Sequence, residues 1–436
     1  MELWLISILC LLLMILLVFS GLHVAYSLLL SGMLGILFIG GLQMLGAQLG
    51  SIGYNATASY GYVVIPMFIL MGQFAAEGGL GNEAYRAARL WVGKLYGGLA
   101  MATIAGCGIF GAASGSTASA SALFAKVAFP EMVKYGYHRG LAAGCIAASG
   151  TVASMIPPSI LLVLFGIIAE QPIGKLLVAG IGPGLLEIFS YMFVVYLAVR
   201  INPKLAPIVT DEISWKDRFG SLKDLVPIAV VFMFAIGGIF FGVFTPSEGG
   251  AMGASGALIV VLVMRRLSFK GFKTSLRESG IITGMMFLAI IGGFLFARML
   301  VLGGIVEAVT NFIITLPLSR HLIFLGIIIL YLILGMVMQP IVIMLITIPI
   351  LLPAISSMGY DPIWFGIIFV RLAELAVITP PVAVNLYVVK GILGDEVSLG
   401  EIFKGTFLFI MADVSNVFLL YLFPQIALWL PGMMWK

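Results

Sequence analysis

The chain has 436 residues, of which 61% are hydrophobic and only 10% are charged, and its mean hydropathy is +1.17. Because a soluble domain carries roughly a quarter charged residues, this composition excludes a soluble protein and predicts one that crosses a membrane repeatedly. The net charge of +4 lies in loops, where it reports orientation in the membrane, so no nucleic-acid partner is predicted.

The apolar runs predict an all-α polytopic membrane protein. Many of them reach the roughly 20 residues that a spanning helix needs, and we expect about a dozen hydrophobic segments. The alternating ten-residue segments of a membrane β-barrel are missing. The first run, Leu3–Phe19, follows Glu2 without any Lys or Arg and lacks a clear cleavage site, so it predicts a first span rather than a secretory signal.

The first candidate site is a stretch of small hydroxyl residues in apolar sequence, GAASGSTASAS. Irregular backbone at membrane depth must be buried in protein, so Ser114-Gly115-Ser116 predicts the tip of a re-entrant hairpin over about residues 98–130. Such a tip offers hydroxyls, freed carbonyls and helix ends, which can solvate a sodium ion. The alternative is a helix-packing face of small residues.

A proline pair follows in the next apolar segment. Pro157 and Pro158 remove two backbone donors and push the preceding residue away from helix, so they predict a broken helix over about residues 140–170. Upstream of the break lie Ser149, Gly150 and Thr151. We interpret these three residues and Pro157 as ligands that complete the sodium site at the first tip, which favours a site over a packing face.

Residues 201–224 form the longest polar interruption, and they divide the chain into predicted repeats at 1–200 and 225–436. Basic residues there and in 265–277 place both loops on the cytoplasmic side. Two apolar segments lie between these loops, joined at a turn where Glu248 is expected to cap a helix. An odd number of spans in each half would give repeats of inverted topology, the commoner transporter arrangement, which we favour.

The second half contains corresponding elements 223 residues later. Gln339 corresponds to Ser116 and predicts the tip of a second hairpin over about residues 322–355. The second proline pair, Pro380 and Pro381, corresponds to the first and predicts a broken helix over about residues 363–393. The remaining helices of each repeat are assigned to a scaffold. Paired broken helices in the two halves of a membrane protein indicate a transported-substrate site.

Charged and polar residues near the second break leave two alternatives open. Arg371 and Glu374 lie three residues apart on one predicted helix, so they could neutralise each other, or Arg371 could supply positive field for an anionic substrate. Asn385 follows the break and could contact substrate or form an interhelical hydrogen bond.

No pattern for an enzyme or a resident metal is found in the sequence. It lacks the HExxH, G-x-S-x-G and Walker A motifs, so neither hydrolysis nor ATP coupling is predicted. No disulfide frame or metal centre beyond sodium is predicted either. The cysteines and histidines, none in paired spacing, are Cys10, Cys107, Cys145, His23, His138 and His321. If transport is active, its energy must come from an ion gradient.

Several motifs, taken in order, resemble the large membrane subunit of TRAP (tripartite ATP-independent periplasmic) transporters. They are GIFGAASGSTAS, FPEM with KYGY, SGTVASMIPPSI, AGIGPGLL, FTPSEGGA and ITPPVAVNLY. The resemblance covers essentially the whole chain. It implies a multi-pass permease of the bacterial inner membrane, built as an elevator in which a transport domain with two hairpins and two broken helices slides against a scaffold.

The resemblance also implies roles for individual residues. One sodium site would be built from the first tip and the first break, and the other from Gln339 with the second break. The sodium ligands assigned by motif are Ser114, Gly115, Ser116, Ser149, Gly150, Thr151, Pro157, Gln339, Thr379 and Pro380. The substrate ligands are Ser116, Gln339, Arg371, Glu374 and Asn385. The chain departs from the family where Gln339 replaces a common acidic residue and Ala383 replaces a glycine.

The function implied by the resemblance is sodium-coupled import of a small organic anion, such as a C4-dicarboxylate, a keto acid or sialic acid. The expected partners are a small four-helix membrane subunit, a periplasmic substrate-binding protein and the lipid bilayer. No organic cofactor is expected, and sodium serves as the coupling ion. The alternatives are an anion carrier without a binding protein, a sodium/proton antiporter of the same superfamily, a passive channel and a packing scaffold.

Overall fold

The computed structural model describes residues 3–208, 213–336, 338–380 and 383–434, and these ranges contain helices, turns and no strand. The predicted all-α architecture is confirmed. The first half contains α1 (Leu3–Phe19), α2 (Val24–Ala58), α3 (Val64–Glu77), α4 (Leu80–Val92), α5 (Gly98–Ser114), α6 (Thr117–Lys134), α7 (Arg139–Met155), α8 (Ile160–Ile168), α9 (Ile173–Ala179) and α10 (Ile181–Ile201).

The second half continues the helical series. It contains α11 (Trp215–Phe232), α12 (Gly238–Phe240), α13 (Pro246–Val263), α14 (Phe269–Leu302), α15 (Ile305–Thr315), α16 (Arg320–Gly335), α17 (Pro340–Ser357), α18 (Pro362–Ile378), α19 (Val384–Leu393), α20 (Leu399–Leu422) and α21 (Gln425–Gly432). A π-helical segment, Met233–Gly237, joins α11 to α12.

Eight helices in the described ranges are long and apolar enough to cross a membrane, and the pair α7 and α8 makes a ninth if it counts as one bent span. Two of these spans, Trp215–Phe240 and Pro246–Val263, lie between the basic loops. This agrees with both loops lying on one side of the membrane. Asp211 and Glu212 of the first loop lie outside the described residues.

Glu248 caps a helix as the sequence predicts. Its carboxylate accepts a hydrogen bond from the backbone N–H of Thr245 at 2.8 Å, and the Thr245 hydroxyl accepts one from the backbone N–H of Glu248 at 3.3 Å. This reciprocal pair satisfies N–H groups that the first turn of α13 leaves without helical partners.

The chain reverses direction between α5 and α6. The ring centroids of Phe110 and Phe124 lie 6.4 Å apart, whereas one straight helix would separate these residues by about 20 Å. The reversal occurs at Gly115, whose φ of 60° lies in the left-handed region, and at Ser116, whose backbone is extended. The Ser116 hydroxyl caps α6 by accepting a hydrogen bond from the Ser119 N–H at 3.4 Å. We call α5, α6 and the residues between them the first hairpin.

A second reversal joins α16 to α17. The Thr347 hydroxyl donates to the Tyr331 hydroxyl at 3.0 Å, although 16 residues of straight helix would span about 24 Å. Gln339 lies at the end of this turn, directly before Pro340, the first residue of α17. Val337 within the turn lies outside the described residues. We call α16, α17 and the residues between them the second hairpin.

Two further helices are interrupted at the proline pairs. The axes of α7 and α8 differ by 47° across a break that contains Pro157 and Pro158. The Ser159 hydroxyl starts α8 by accepting from the Leu162 N–H at 3.2 Å. In the second half, α18 ends before Thr379 and α19 begins after Ala383. Pro381 lies outside the described residues.

Ala383 adopts an unusual backbone conformation. Its φ is 40°, a region where glycine is at ease and a Cβ atom is strained. The replacement of the family's glycine by alanine therefore falls at a position whose conformation favours glycine.

The described helices form two buried apolar clusters. The smaller cluster joins α1, α2 and α14, for example through Ile6, Leu28 and Phe296, and it includes Leu345 of the second hairpin. The larger cluster surrounds both hairpins and both broken helices. This arrangement suits a scaffold and a separate transport domain, whereas the division into two inverted repeats stays a prediction.

Candidate transport site

Both hairpin tips and both helix breaks meet at one cavity of about 270 Å³. The first tip contributes Gly115, Ser116, Thr117 and Ala118, and the second contributes Gln339, Pro340 and Ile341. The first broken helix contributes Ser154, Ile160 and Leu161, and the second contributes Glu374, Val377, Val384, Asn385 and Val388. Met286 of α14 completes the wall. Four elements that the sequence identifies separately therefore share one binding space.

The first tip and the first break are in direct contact. A Cβ atom built on Gly115 would lie 1.8 Å from the carbonyl oxygen of Pro158. Glycine is therefore required at position 115 both for its positive φ and for the close approach of the break.

Four helices begin at the cavity, and their N-termini face it together. Thr117, Ile160, Pro340 and Val384 are the first residues of α6, α8, α17 and α19, and all four line the cavity. The N-terminus of a helix carries the equivalent of about half a positive charge and unpaired backbone N–H groups. Together they create a positive field in the cavity, which favours an anionic ligand.

Glu374 is the one charged side chain among the described residues that line the cavity. It is 2% exposed. The hydroxyl of Thr117 lies 3.0 Å from each carboxylate oxygen and donates to them. This contact joins the first hairpin to the second broken helix across 257 residues of sequence.

Asn385 connects three elements of the site. Its Nδ2 donates to the Ser121 hydroxyl at 2.8 Å and to the Ala147 carbonyl at 2.5 Å. Gly150 packs at the same point, since a Cβ atom there would lie 1.9 Å from the Ser121 Oγ. The interhelical hydrogen bond that the sequence left as an alternative is thus present, and the side chain also lines the cavity.

The predicted ion pair between Arg371 and Glu374 is wrong. Arg371 is fully buried and pairs instead with Glu187 of α10 and with Asp413 of α20, the latter at 2.7 Å between Nη2 and Oδ1. These carboxylates come from neighbouring helices and outcompete the pairing along one helix face. Arg371 is not part of the cavity wall, so the positive field expected from it has its source in the helix N-termini.

The remaining sodium-ligand candidates of the first half divide into two groups. Ser114 is buried, and its Oγ has no hydrogen-bond partner, so it remains available to a ligand beside Gly115. Ser149 donates to the Cys145 carbonyl at 2.6 Å, while the Thr151 hydroxyl donates to the Glu187 carboxylate at 2.7 Å. Thr151 thus belongs to the surroundings of Arg371. Pro157 lies buried in the break.

In the second half, Gln339 lines the cavity and makes no capping hydrogen bond to α17. The Thr379 hydroxyl donates to the Leu375 carbonyl at 2.6 Å. Pro380 is exposed, and neither Thr379 nor Pro380 is part of the cavity wall. Of these three assigned residues, only Gln339 therefore meets the first tip.

Two other cavities help to delimit the site. One of about 230 Å³ lies between α2, α14 and the second tip, and it shares Met286, Gln339 and Ile341 with the first cavity. Gln339 thus stands between the scaffold helices and the transport cavity. The other, of about 370 Å³, lies between α16, α18 and α20, has almost wholly apolar walls and contains none of the predicted ligands.

A sequence model of the family described as "Tripartite ATP-independent periplasmic transporter, DctM component" matches residues 11–426. The chain belongs to this family. It is therefore the large permease subunit of a TRAP transporter and not an enzyme. Its location as a multi-pass protein of the inner membrane follows from the same finding.

Relatives of this permease match it over most of their length. The C4-dicarboxylate TRAP transporter large permease protein DctM of Pseudomonas aeruginosa is 33% identical over 380 residues, which covers 87% of this chain and 88% of that protein. The ectoine TRAP transporter large permease protein TeaC of Halomonas elongata is 32% identical over 372 residues, which covers 84% and 85%. Relatives at this distance thus include more than one substrate class.

The fold of the permease resembles a solved transporter structure, that of Alcanivorax borkumensis YdaH. The TM-score is 0.61, and the likeness covers 88% of this chain and 89% of that one. Sequence identity is 13%, so the likeness concerns the fold.

Several polar residues of the site were not identified from the sequence of the permease. They are Thr117, Ser121, Ser154, Glu187 and Asp413. The first two belong to the hydroxyl-rich stretch at the first tip, which could have extended the assignment. Glu187 and Asp413 are isolated acids in apolar helices, and that rarity in a membrane protein was the available signal.

Proposed function

We propose that this permease imports a small organic anion, a carboxylate such as a C4-dicarboxylate, a keto acid or sialic acid, in symport with sodium. A periplasmic binding protein delivers the substrate, and a separate small four-helix subunit completes the transporter. The observation that carries the proposal is the convergence of both tips and both breaks on one cavity with four helix N-termini facing it. That arrangement suits an anion of small volume.

Sodium coupling is supported by the chemistry at the first tip. The C-terminal end of α5 meets the break after α7 there, and helix C-termini carry partial negative charge and free carbonyls. The Pro158 carbonyl and the unpartnered Ser114 hydroxyl add oxygen atoms. Oxygen-only ligands without a carboxylate suit a monovalent cation at membrane depth.

The proposal is tested by uptake into proteoliposomes that contain the permease and its small subunit. Succinate, pyruvate, N-acetylneuraminate and ectoine are offered with the binding protein and an inward sodium gradient. We expect saturable accumulation of at least one of them, lost when the binding protein is omitted or when potassium replaces sodium. Uptake that survives both changes contradicts the proposal, and ionic current without saturable uptake indicates a channel.

The Ser116→Ala variant tests the first tip as a sodium site. The hydroxyl of Ser116 lines the cavity and also caps α6. We expect the sodium concentration for half-maximal uptake to rise by about threefold or more, while loss of the cap lowers stability by about 1 kcal/mol. Sodium titrations of uptake and thermal unfolding of the purified complex measure the two effects.

Ser159→Ala is the matched control for Ser116→Ala. Ser159 caps α8 through a 3.2 Å hydrogen bond but does not line the cavity. It should lower stability by a similar amount and leave the sodium requirement unchanged. An equal change of sodium requirement in both variants would assign the effect to capping and remove Ser116 from the sodium site.

A further inference from the structure

Arg371 lies in a buried ionic cluster outside the transport cavity. Its partners Glu187 and Asp413 belong to α10 and α20, and all three side chains are 0% exposed. The Tyr191 hydroxyl donates to Asp413 Oδ2 at 2.8 Å, and the Thr151 hydroxyl donates to Glu187 Oε1 at 2.7 Å. Each of the four carboxylate oxygens therefore faces either the guanidinium group or a hydroxyl donor.

The guanidinium group of Arg371 is fully committed inside this cluster. Two carboxylates share one cation there, and a buried carboxylate that loses its cation is strongly disfavoured. Moving Arg371 towards a substrate would strand both acids in an apolar interior. An anionic substrate in the cavity therefore cannot obtain its counter-charge from Arg371.

The cluster nevertheless acts on the cavity through α18. Glu374 and Val377 lie one and two turns after Arg371 on this helix, and both line the cavity. A rotation of α18 by about 60° would bring the direction of Arg371 to the place of Glu374. Anchoring Arg371 to α10 and α20 prevents this rotation.

We propose that Arg371 is a positioning residue that fixes the rotation of α18 and thereby aims Glu374 at the cavity, without binding substrate. The proposal rests on the transport function proposed for that cavity. It makes a distinctive statement about charge, because a neutral cluster of similar shape would serve equally well. Replacement of a whole buried ion cluster by neutral groups is often tolerated where removal of one partner is not.

The test compares Arg371→Met with the triple variant Glu187→Gln/Arg371→Met/Asp413→Asn. Three readouts are used on the permease with its small subunit: melting temperature, uptake of the solute that the parent accumulates, and maleimide labelling of Val377→Cys. The described native cysteines are all buried. We expect Arg371→Met to lower the melting temperature, to slow labelling and to reduce uptake by about tenfold or more.

In the triple variant all three readouts should recover, with the KM for uptake within about threefold of the parent. Arg298→Met, which removes an exposed arginine of α14, is the matched control and should resemble the parent. Recovery of folding and labelling without recovery of uptake would show that the charge of Arg371 acts on the substrate, and would overturn the proposal. So would an Arg371→Met variant with parental values.

The outcome also separates this proposal from the function proposed for the permease. If the parent accumulates none of the offered solutes, the transport proposal fails. Melting temperature and Val377→Cys labelling still decide the positioning role. A triple variant that labels as slowly as Arg371→Met overturns that role regardless of transport.

Discussion

Replacing Gly115 with alanine is expected to abolish sodium-coupled uptake while leaving a folded protein. The added Cβ atom would lie 1.8 Å from the carbonyl oxygen of Pro158, and backbone at the tip or the break must move by about 1.5 Å to restore a normal contact. Alanine also pays roughly 1 kcal/mol in the left-handed conformation. We expect the sodium requirement for uptake to rise at least tenfold, which corresponds to about 1.4 kcal/mol of lost binding.

Gly359→Ala provides the control for backbone strain. Gly359 has a φ of +82°, and no atom lies within 4 Å of its added Cβ position. The two variants therefore share the conformational strain, and only Gly115→Ala has the clash. Uptake and thermal unfolding are measured on both. Equal losses in the two variants would attribute the effect to strain, and the tip would lose its proposed part in sodium binding.

The breaks in the helices could be predicted because their causes are local. A proline pair removes donors and excludes helix wherever it stands, so the break at Pro157 and Pro158 needed no knowledge of the surrounding fold. The tip at Gly115 was equally readable, because hydroxyl residues around a glycine suit a turn but not a lipid-facing helix. The convergence of the tips with the breaks rested on the spacing of 223 residues and the family resemblance.

The partner of Arg371 could not be predicted because the deciding contacts are distant in sequence. Glu374 was the only acid within helical reach along the chain, whereas Glu187 precedes Arg371 by more than 180 residues and Asp413 stands on another helix. Periodicity describes one helix at a time and says nothing about which neighbouring face it meets. A pairing rule for one helix therefore lost to tertiary packing.

The source of the positive field shows the same limit from the other side. An arginine is visible in a sequence, whereas a helix N-terminus contributes charge only through its orientation. Thr117, Ile160, Pro340 and Val384 carry no positive charge, and their common direction follows from how two hairpins and two broken helices pack. Charge counting thus selected Arg371, while the fold supplies the field through uncharged residues.

Replacing Asn385 with aspartate is expected to abolish transport and to destabilise the permease more than any other conservative change in the site. The Nδ2 of Asn385 lies 2.5 Å from the Ala147 carbonyl and 2.8 Å from the Ser121 hydroxyl. Aspartate is nearly isosteric but places an oxygen there, so a carbonyl and a carboxylate oxygen face each other in a buried site. The lost donor and the buried charge together should cost at least about 3 kcal/mol.

Asn202→Asp is the control for exchanging an amide for a carboxylate. The Asn202 side chain is exposed, and its Oδ1 accepts a hydrogen bond from the Lys204 N–H at 3.3 Å, a role that aspartate retains. Thermal unfolding and uptake should therefore stay at parental values in this variant. Parental stability in Asn385→Asp would mean that the amide does not join the second broken helix to the first hairpin and the first broken helix. Lost uptake in a stable Asn385→Asp protein would instead assign the amide directly to substrate, because only a ligand contact depends on the donor without supporting the fold.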